Sequence, residues 1–257
     1  MPQKAFFAYP AGSRPISDAI SSAVAELKAG NDLLITPWES LSIVGLKLDR
    51  LIREKILDAD FLIADITFPN FNVYYEIGYS FGLRKPVIPT VNHAFTSASG
   101  NVYLTGIFDT IGQLRYDNGN ELTKKLRERE LQDHISPLFQ PKDHNQPLFL
   151  LDTLRKIDFR NWIVQSISNS SVNMRPFDPD ETPRLTLSFS VAAISSSTGV
   201  ILPLLQDGIE DSLRHNLRAS FLAGLAHGCG IETLIEQYED LPAPVDYRAT
   251  QVEPRSK

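Results

Sequence analysis

Two carboxylates separated by a short polar loop are the residues of this chain whose types and spacing best fit chemistry. Asp65 ends the apolar run 61–64, and Glu76 lies in the apolar stretch that follows the loop. The first run predicts a buried strand, and the stretch 72–83 predicts a helix. In open α/β sheets, ligands bind outside the carboxyl ends of the strands. Asp65 and Glu76 are therefore the candidate catalytic acids or nucleophiles.

The predicted helix gives Glu76 a setting that favours its charged form. We expect Asn72 to accept hydrogen bonds from the free N–H groups at the helix start, with Glu76 one turn further along the same face. The helix dipole then favours the ionised carboxylate that a nucleophile needs. Gly78 and Gly82 leave one strip of the helix bare, so that backbone or a ligand can approach it closely. The structural alternative is that Asp65 caps a turn, Glu76 complements the dipole and the glycines serve packing.

The loop after the first predicted strand opens at the same sheet edge. Gly12 permits a tight turn, Ser13 offers a hydroxyl group and Arg14 offers a guanidinium that matches phosphate. This loop fits neither a Walker motif nor a dinucleotide fingerprint, so an ordinary strand–helix turn is the alternative. Trp38 ends the second predicted strand and, with Glu39, could stack on a base. Its alternative is a partly buried aromatic anchor.

The predicted elements alternate between strand and helix with short connections. Such alternation predicts a parallel sheet with helices on both faces, in a flavodoxin-like or Rossmann-like layout. The predicted strands cover 5–9, 32–35, 61–65, 86–89 and 108–114, and the predicted helices cover 17–28, 46–57, 72–83 and 121–135.

A second, degenerate α/β unit is predicted over 148–257, after a first domain at 1–138 and a Pro-rich linker at 139–147. Gly224 and Gly228, in a predicted helix at 214–227, repeat the spacing of the glycine pair in the first unit. A predicted strand at 187–194 ends at Ser195, in the place of Asp65. The residues after Leu241 are predicted to wrap the second unit as a strap. The alternative is that any two doubly wound halves share such a pattern.

The overall composition excludes several classes of protein. Lys and Arg number 25 against 31 Asp and Glu, and this acidic balance does not fit a non-specific nucleic-acid binder. The single cysteine, Cys229, excludes a disulfide framework within one chain, and the 5 histidines show no paired metal-ligand spacing. No apolar stretch approaches the ~18 residues that would span a bilayer, and no signal peptide is evident. We expect a soluble cytoplasmic protein without metal, cofactor, nucleic acid or membrane partner.

Residues 60–89 resemble the nucleoside 2-deoxyribosyltransferase-like superfamily, which is related in layout to nucleotide-processing TIR domains. The resemblance extends over about residues 4–115. The matching residues are Ala64-Asp65 at the strand end, Asn70 and Asn72 in the loop, Tyr75-Glu76-Ile77-Gly78 in the helix, Lys85-Pro86-Val87-Ile88 before the next strand, and Phe7-Ala8-Tyr9-Pro10 in the opening strand.

The resemblance implies cleavage or transfer of the N-glycosidic bond of a nucleoside, nucleotide or NAD-like ligand. Glu76 would attack C1′ of the ribosyl group, Asp65 would assist at the base or orient the ring, and Tyr9 would position Glu76. Ser13 and Arg14 fall where phosphate-accepting members hold a 5′-phosphate. A nearby carboxylate suits this chemistry because C–N cleavage builds positive charge on the sugar.

The sequence also departs from the family pattern. The loop before Glu76 is short and has no clear second aspartate for the base, and the second unit has no aligned glutamate. We therefore expect the second unit to be catalytically inactive and to shape the pocket, mediate dimerisation or bind a nucleotide. The alternative function is a nucleotide-sensing or interaction module that uses the same pocket without chemistry. A homo-oligomer is left open.

Overall fold

The computed structural model describes residues 2–10, 12–30, 33–41, 48–98, 104–133, 135–154 and 158–237. The first unit is a parallel five-stranded sheet with the strand order β2-β1-β3-β4-β5. This order reverses between β1 and β3, as in flavodoxin-like folds. Its elements are β1 (Gln3–Ala8), α1 (Arg14–Ala29), β2 (Leu33–Pro37), α2 (Leu48–Asp58), β3 (Phe61–Asp65), α3 (Phe71–Gly82), β4 (Val87–Asn92), β5 (Leu114–Tyr116) and α4 (Gly119–Arg127).

The second unit repeats this topology with a parallel sheet of order β7-β6-β8-β9. The predicted α/β class with two parallel-sheet units is thereby confirmed. Its elements are β6 (Leu148–Leu151), α5 (Asp158–Asn169), β7 (Met174–Phe177), α6 (Leu187–Ser195), β8 (Gly199–Leu204), α7 (Ser212–Gly228) and β9 (Glu232–Gln237). Short 3₁₀ helices cover Trp38–Ser40, His93–Ala98 and Ser136–Leu138.

The predicted strand at 187–194 is wrong, because this segment is the helix α6. A short apolar run does not distinguish a buried strand from a buried helix. A helix start is favoured here by Thr186, whose hydroxyl accepts a hydrogen bond from the Phe189 N–H. The strand that corresponds to β3 is β8, which ends at Leu204. Ser195 therefore does not stand in the place of Asp65.

Other boundaries also differ from the prediction, most of all those of the fifth strand and of the charged helix after it. The fifth strand begins at Leu114 instead of ending there. The charged helix predicted at 121–135 is α4, which ends at Arg127 and buries Leu122 and Leu126. These two leucines lie one turn apart and form the apolar stripe that the charged residues of this segment obscured.

The residues of the predicted linker are fastened to the second unit. The Gln140 N–H donates to Ser195 Oγ at 2.9 Å, and the Asp143 N–H donates to the Ser196 carbonyl at 2.8 Å. The serine run at the end of α6 thus holds this segment in place. The predicted C-terminal strap lies outside the described residues. Across the described part of the chain, no helix is both long enough and apolar enough to cross a membrane.

Alternation along the strands divides the core of the first unit between the two faces of its sheet. Phe6, Ala8, Leu62 and Ala64 pack with α3 in a core that continues into the second unit. The intervening side chains pack with α1 and α4 on the opposite face, as expected for a strand whose successive side chains point to opposite sides. Two apolar layers therefore cover the first sheet, and the layer on the α3 side joins the units.

The two units are joined by a close crossing of α3 and α7. A Cβ atom on Gly78 would collide with the Phe221 carbonyl oxygen and lie 2.8 Å from the Leu225 nitrogen. A Cβ atom on Gly224 would likewise collide with the Tyr75 carbonyl oxygen and lie 2.8 Å from the Tyr79 nitrogen.

The contacts at this crossing are reciprocal, as in the self-complementary interface of a two-fold dimer. Gly82 and Gly228 meet each other at the second contact point of the same crossing. Tyr75 and Phe221 hold matching places in their helices, as do Tyr79 and Leu225. The units therefore pack as an internal pseudo-dimer, and this register aligns α3 with α7 residue by residue.

Replacing Gly224 with Ala should destabilise the protein, because the added methyl group meets backbone atoms that cannot rotate away. We expect the free energy of unfolding to fall by at least about 2 kcal/mol, the range of overpacked cores. Urea unfolding followed by circular dichroism measures this change. Gly112→Ala is the matched control, because a Cβ at Gly112 would meet no atom within 4 Å. Equal unfolding midpoints for the two variants would contradict the close crossing.

Candidate functional site

The candidate site lies where the strand order of the first sheet reverses, at the carboxyl ends of β1 and β3. Tyr9 directly follows β1, and Asp65 is the last residue of β3. The loops leaving two such strands turn to opposite faces of the sheet and leave a crevice between them. The helix α3 follows β3 after a short loop, so its amino-terminal turns also lie at this edge.

Glu76 lies in the second turn of α3 and is 4% exposed. The helix around it is apolar, and Val73, Ile77 and Phe81 belong to the core between the two units. Bringing a carboxylate into such surroundings costs free energy unless other groups stabilise it.

The start of α3 differs from the prediction. Asn70, not Asn72, is the N-cap, and its side-chain oxygen accepts a hydrogen bond from the Val73 N–H at 3.0 Å. The helix thus begins earlier than predicted, and Asn72 is a half-buried residue of its first turn. Both asparagines are compatible with the cap position by residue type, and only the backbone geometry selects one.

Asp65 is completely buried and accepts three hydrogen bonds. The Thr67 N–H donates to Oδ1 at 3.1 Å, the Tyr116 hydroxyl donates to Oδ2 at 2.8 Å, and the Thr90 hydroxyl donates to Oδ2 at 3.3 Å. Burial raises the pKa of Asp65, while these donors partly offset that effect. The carboxyl group therefore ties together the ends of β3, β4 and β5.

The Asp65 network also fixes the loop that leads to α3. Thr67 in this loop makes two hydrogen bonds. Its N–H donates to Asp65, and its hydroxyl accepts a hydrogen bond from the Asn92 N–H at 2.8 Å. Sequence reasoning missed Thr90 and Tyr116. A signal was available, because parallel strands bring their carboxyl ends to one edge and both residues lie near strand ends.

The two predicted catalytic acids lie on opposite sides of the sheet. Asp65 follows the alternation of Phe61 and Ile63, which pack in the core on the α1 and α4 side, as does Tyr116. Glu76 belongs to α3, which packs on the other face. The structure therefore joins Asp65 to a structural network at the edge and does not stack the two carboxylates on one face.

Tyr9 is held from the α1 side of the sheet. Its side chain is 3% exposed, and its hydroxyl interacts with the side chains of Glu39 and Ser17. Burial raises the pKa of Tyr9 above its ordinary value, and the neighbouring Glu39 carboxylate raises it further. The ring lies 5.9 Å from the Trp38 ring. These contacts place Tyr9 beside the end of β2.

Trp38 packs against the cores on both faces of the sheet, so it bridges them at the carboxyl edge. Gly12 and Arg14 are exposed, and Ser13 is the N-cap of α1 with no side-chain capping bond. A Cβ at Gly12 would meet nothing within 4 Å. The Ser13 hydroxyl and the Arg14 guanidinium are therefore placed at the start of α1, beside the end of β1.

Gly78, the remaining predicted binding residue, has no open space beside it, because the α7 backbone fills the bare strip. The sequence predicted that either backbone or a ligand approaches Gly78 closely, and the structure shows backbone. In the register of the crossing, Leu222 is the counterpart of Glu76, and it is 0% exposed. The second unit therefore has the apolar Leu222 at the position that Glu76 holds in the first unit.

The histidines and acids were also expected to form no metal site. Among the described residues, no group of three or more His, Cys, Asp or Glu side chains could hold a metal ion. Burial lowers the pKa of His215 to about 4, and its Nε2 lies 2.7 Å from the Pro203 carbonyl oxygen. Asp152, directly after β6, is buried and forms an ion pair at 2.7 Å with Arg160, which is half-buried.

Comparison with models of known protein families and with curated protein sequences finds no match for this chain. The resemblance to the nucleoside 2-deoxyribosyltransferase-like superfamily therefore stays a prediction from the motif residues.

Replacing Asp65 with Asn should remove one source of pH dependence from the stability. A carboxyl group with a raised pKa binds its proton more tightly in the folded state, so its contribution to stability falls as pH rises. The loss begins near the unfolded-state pKa of about 4 and ends above the folded-state pKa. We expect the wild type to lose stability relative to Asp65→Asn across that window. Urea unfolding at a series of pH values measures the difference.

The control for this experiment is Asp58→Asn, the same chemical change at a side chain that is 65% exposed. Asp58→Asn should alter the pH dependence much less than Asp65→Asn. A stability difference between wild type and Asp65→Asn that is constant with pH would contradict the assignment.

Proposed function

We propose that the protein cleaves or transfers the N-glycosidic bond of a nucleoside, nucleotide or NAD-like ligand, with Glu76 as the nucleophile. The ligand would occupy the crevice at the carboxyl ends of β1 and β3. The second unit would not react and would hold α3 in place from its other side.

The observation that carries this proposal is the contrast between Glu76 and Leu222. The two residues hold matching positions in helices that cross reciprocally, and both are buried. The position therefore accepts an apolar residue, and packing alone does not call for a carboxylate. A buried ionisable group at a position that the other unit fills with an apolar residue is a candidate functional residue.

Glu76 has the chemistry that the reaction needs. As the C1′–N bond breaks, its electron pair leaves with the base, and positive charge develops on the sugar. A carboxylate oxygen forms a bond to C1′, and the departing base takes up a proton from water. Water or a second base then attacks C1′, loses a proton to solvent and releases the carboxylate. The first acceptor gives hydrolysis and the second gives transfer.

In this proposal Asp65 acts as the orienting acid. Its bond to the Thr67 N–H holds the loop that leads to α3, and it is 0% exposed. Ser13 and Arg14 would bind a 5′-phosphate at the start of α1, where backbone N–H groups also favour an anion.

A nucleotide-sensing module without chemistry is the second candidate function. The observation that favours it is the state of Asp65, whose two oxygens accept bonds from protein donors. Asp65 is thus engaged by the protein itself, as expected of a group that shapes a binding site without reacting. Saturable binding without release of free base would distinguish this candidate from the enzyme.

Replacing Glu76 with Gln should lower the rate of base release by about 10³-fold or more, because the amide is not a nucleophile. The measurement is chromatography of free base after incubation with nucleosides, nucleotides and NAD. Glu54→Gln is the matched control, since Glu54 is an exposed helical glutamate paired with Arg50. Equal rates for wild type and Glu76→Gln would show that Glu76 is not the nucleophile.

Replacing Glu76 with Leu, the residue at the matching position of α7, separates a functional from a structural carboxylate. We expect activity to be lost while the protein still folds, because leucine has no nucleophilic oxygen and α7 carries a buried leucine at the matching position. Thermal and urea unfolding measure the stability. A large loss of stability would instead assign Glu76 to the scaffold.

A further inference from the structure

Glu39 is an exposed carboxylate that two hydroxyl groups hold at the candidate site. It lies in the 3₁₀ helix directly after β2, so it stands at the carboxyl edge of the sheet. Both of its oxygens lie within hydrogen-bond distance of Ser17 Oγ, at 3.1 and 3.2 Å. The Tyr9 hydroxyl also interacts with it. Three elements, β1, α1 and the segment after β2, therefore fix the direction of this side chain.

The position of Glu39 is not explained by ion pairing. Within the described ranges, no lysine, arginine or histidine forms a salt bridge with it. Two hydroxyls do not saturate a carboxylate, which has about four lone-pair sites. The remaining sites accept hydrogen bonds only, so they select a ligand that brings hydroxyl or amine donors.

Trp38 provides an apolar surface beside this carboxylate. Its ring lies 5.9 Å from the Tyr9 ring. Its Nε1 is buried and has no hydrogen-bond partner. An indole N–H usually finds a partner when it is buried, and an aromatic face stacks readily on a planar base. A ring and a fixed acceptor side by side match a nucleoside, which combines a planar base with sugar hydroxyls.

The place of Glu39 in the fold suggests which donors it binds. In the Rossmann dinucleotide-binding fold, an acidic side chain about 20 residues beyond the glycine-rich first loop accepts a hydrogen bond from a ribose hydroxyl, while that loop faces the pyrophosphate. Here the first loop carries Ser13 and Arg14, and the acidic residue after β2 is Glu39.

We propose that Glu39 accepts hydrogen bonds from the ribose hydroxyls of the ligand, so that the site selects ribosyl over 2′-deoxyribosyl compounds. Ser17 and Tyr9 act as positioning residues that hold this carboxylate, and Trp38 stacks on the base. The inference rests on the proposed function for the identity of the site, and it narrows the substrate class.

Binding measured without turnover tests this selectivity separately from the chemistry. The protein has 2 tryptophans, and Trp162→Phe leaves Trp38 as the only indole fluorophore. In this background, with Glu76→Gln to prevent cleavage, Trp38 fluorescence is titrated with AMP, GMP and CMP and with their 2′-deoxy counterparts. We expect the ribonucleotides to bind about tenfold more tightly or better, the size of a hydrogen bond to a charged group.

Glu39→Gln should remove most of this preference by weakening ribonucleotide binding and leaving deoxynucleotide binding nearly unchanged. Glu54→Gln, the exposed control, should keep the preference. Equal affinities for the two sugars, a preference that survives Glu39→Gln, or no binding by any of the six nucleotides would overturn the proposal. If the preference is found but Glu76→Gln releases base as fast as wild type, the sugar selectivity stands and the nucleophile assignment fails.

Discussion

The backbone-to-backbone contact of α3 with α7 is the constraint on which the rest of this structure depends. Glycine at four positions lets the two helices approach until the backbone atoms of one helix touch those of the other. Any side chain at Gly78 or Gly224 would separate them. Because the contact is reciprocal, it fixes the register of the two helices and the relation of the two sheets. It also buries α3 on the side away from its own sheet, and Glu76 in this helix is only 4% exposed.

The internal pseudo-dimer makes each unit a comparison for the other. Both units share the strand order and the glycine pair, so these features belong to the fold. They differ at Glu76 and Leu222, and at the strand ends, where Tyr9 follows β1 and the Asp152–Arg160 ion pair follows β6. Features that differ between matched positions are free to serve function. In the proposed function, this division places the chemistry in the first unit and the support in the second.

The carboxyl edge of the first sheet is where its two faces meet. Asp65 and Tyr9 approach the edge from the α1 and α4 side, whereas Glu76 approaches it from the α3 side. Trp38 contacts both cores and so spans the edge. In the proposed function, the ligand in the crevice contacts Glu39 on one side and Glu76 on the other. Such a division of roles is ordinary at a point where the strand order reverses, because neighbouring loops turn to opposite faces.

The sequence by itself determined the class of the fold, the two-unit organisation and the position of β3, because apolar runs and turn residues are local signals. It did not determine whether 187–194 is a strand or a helix, since a short buried run suits both. The sequence identified Gly78 and Asp65 as candidate site residues, but it did not show which residues each of them contacts. Only the tertiary structure decided that α7 fills the space at Gly78 and that Tyr116 donates to Asp65. Those partners are distant along the chain, and their approach is set by the packing of whole elements, which local patterns do not encode.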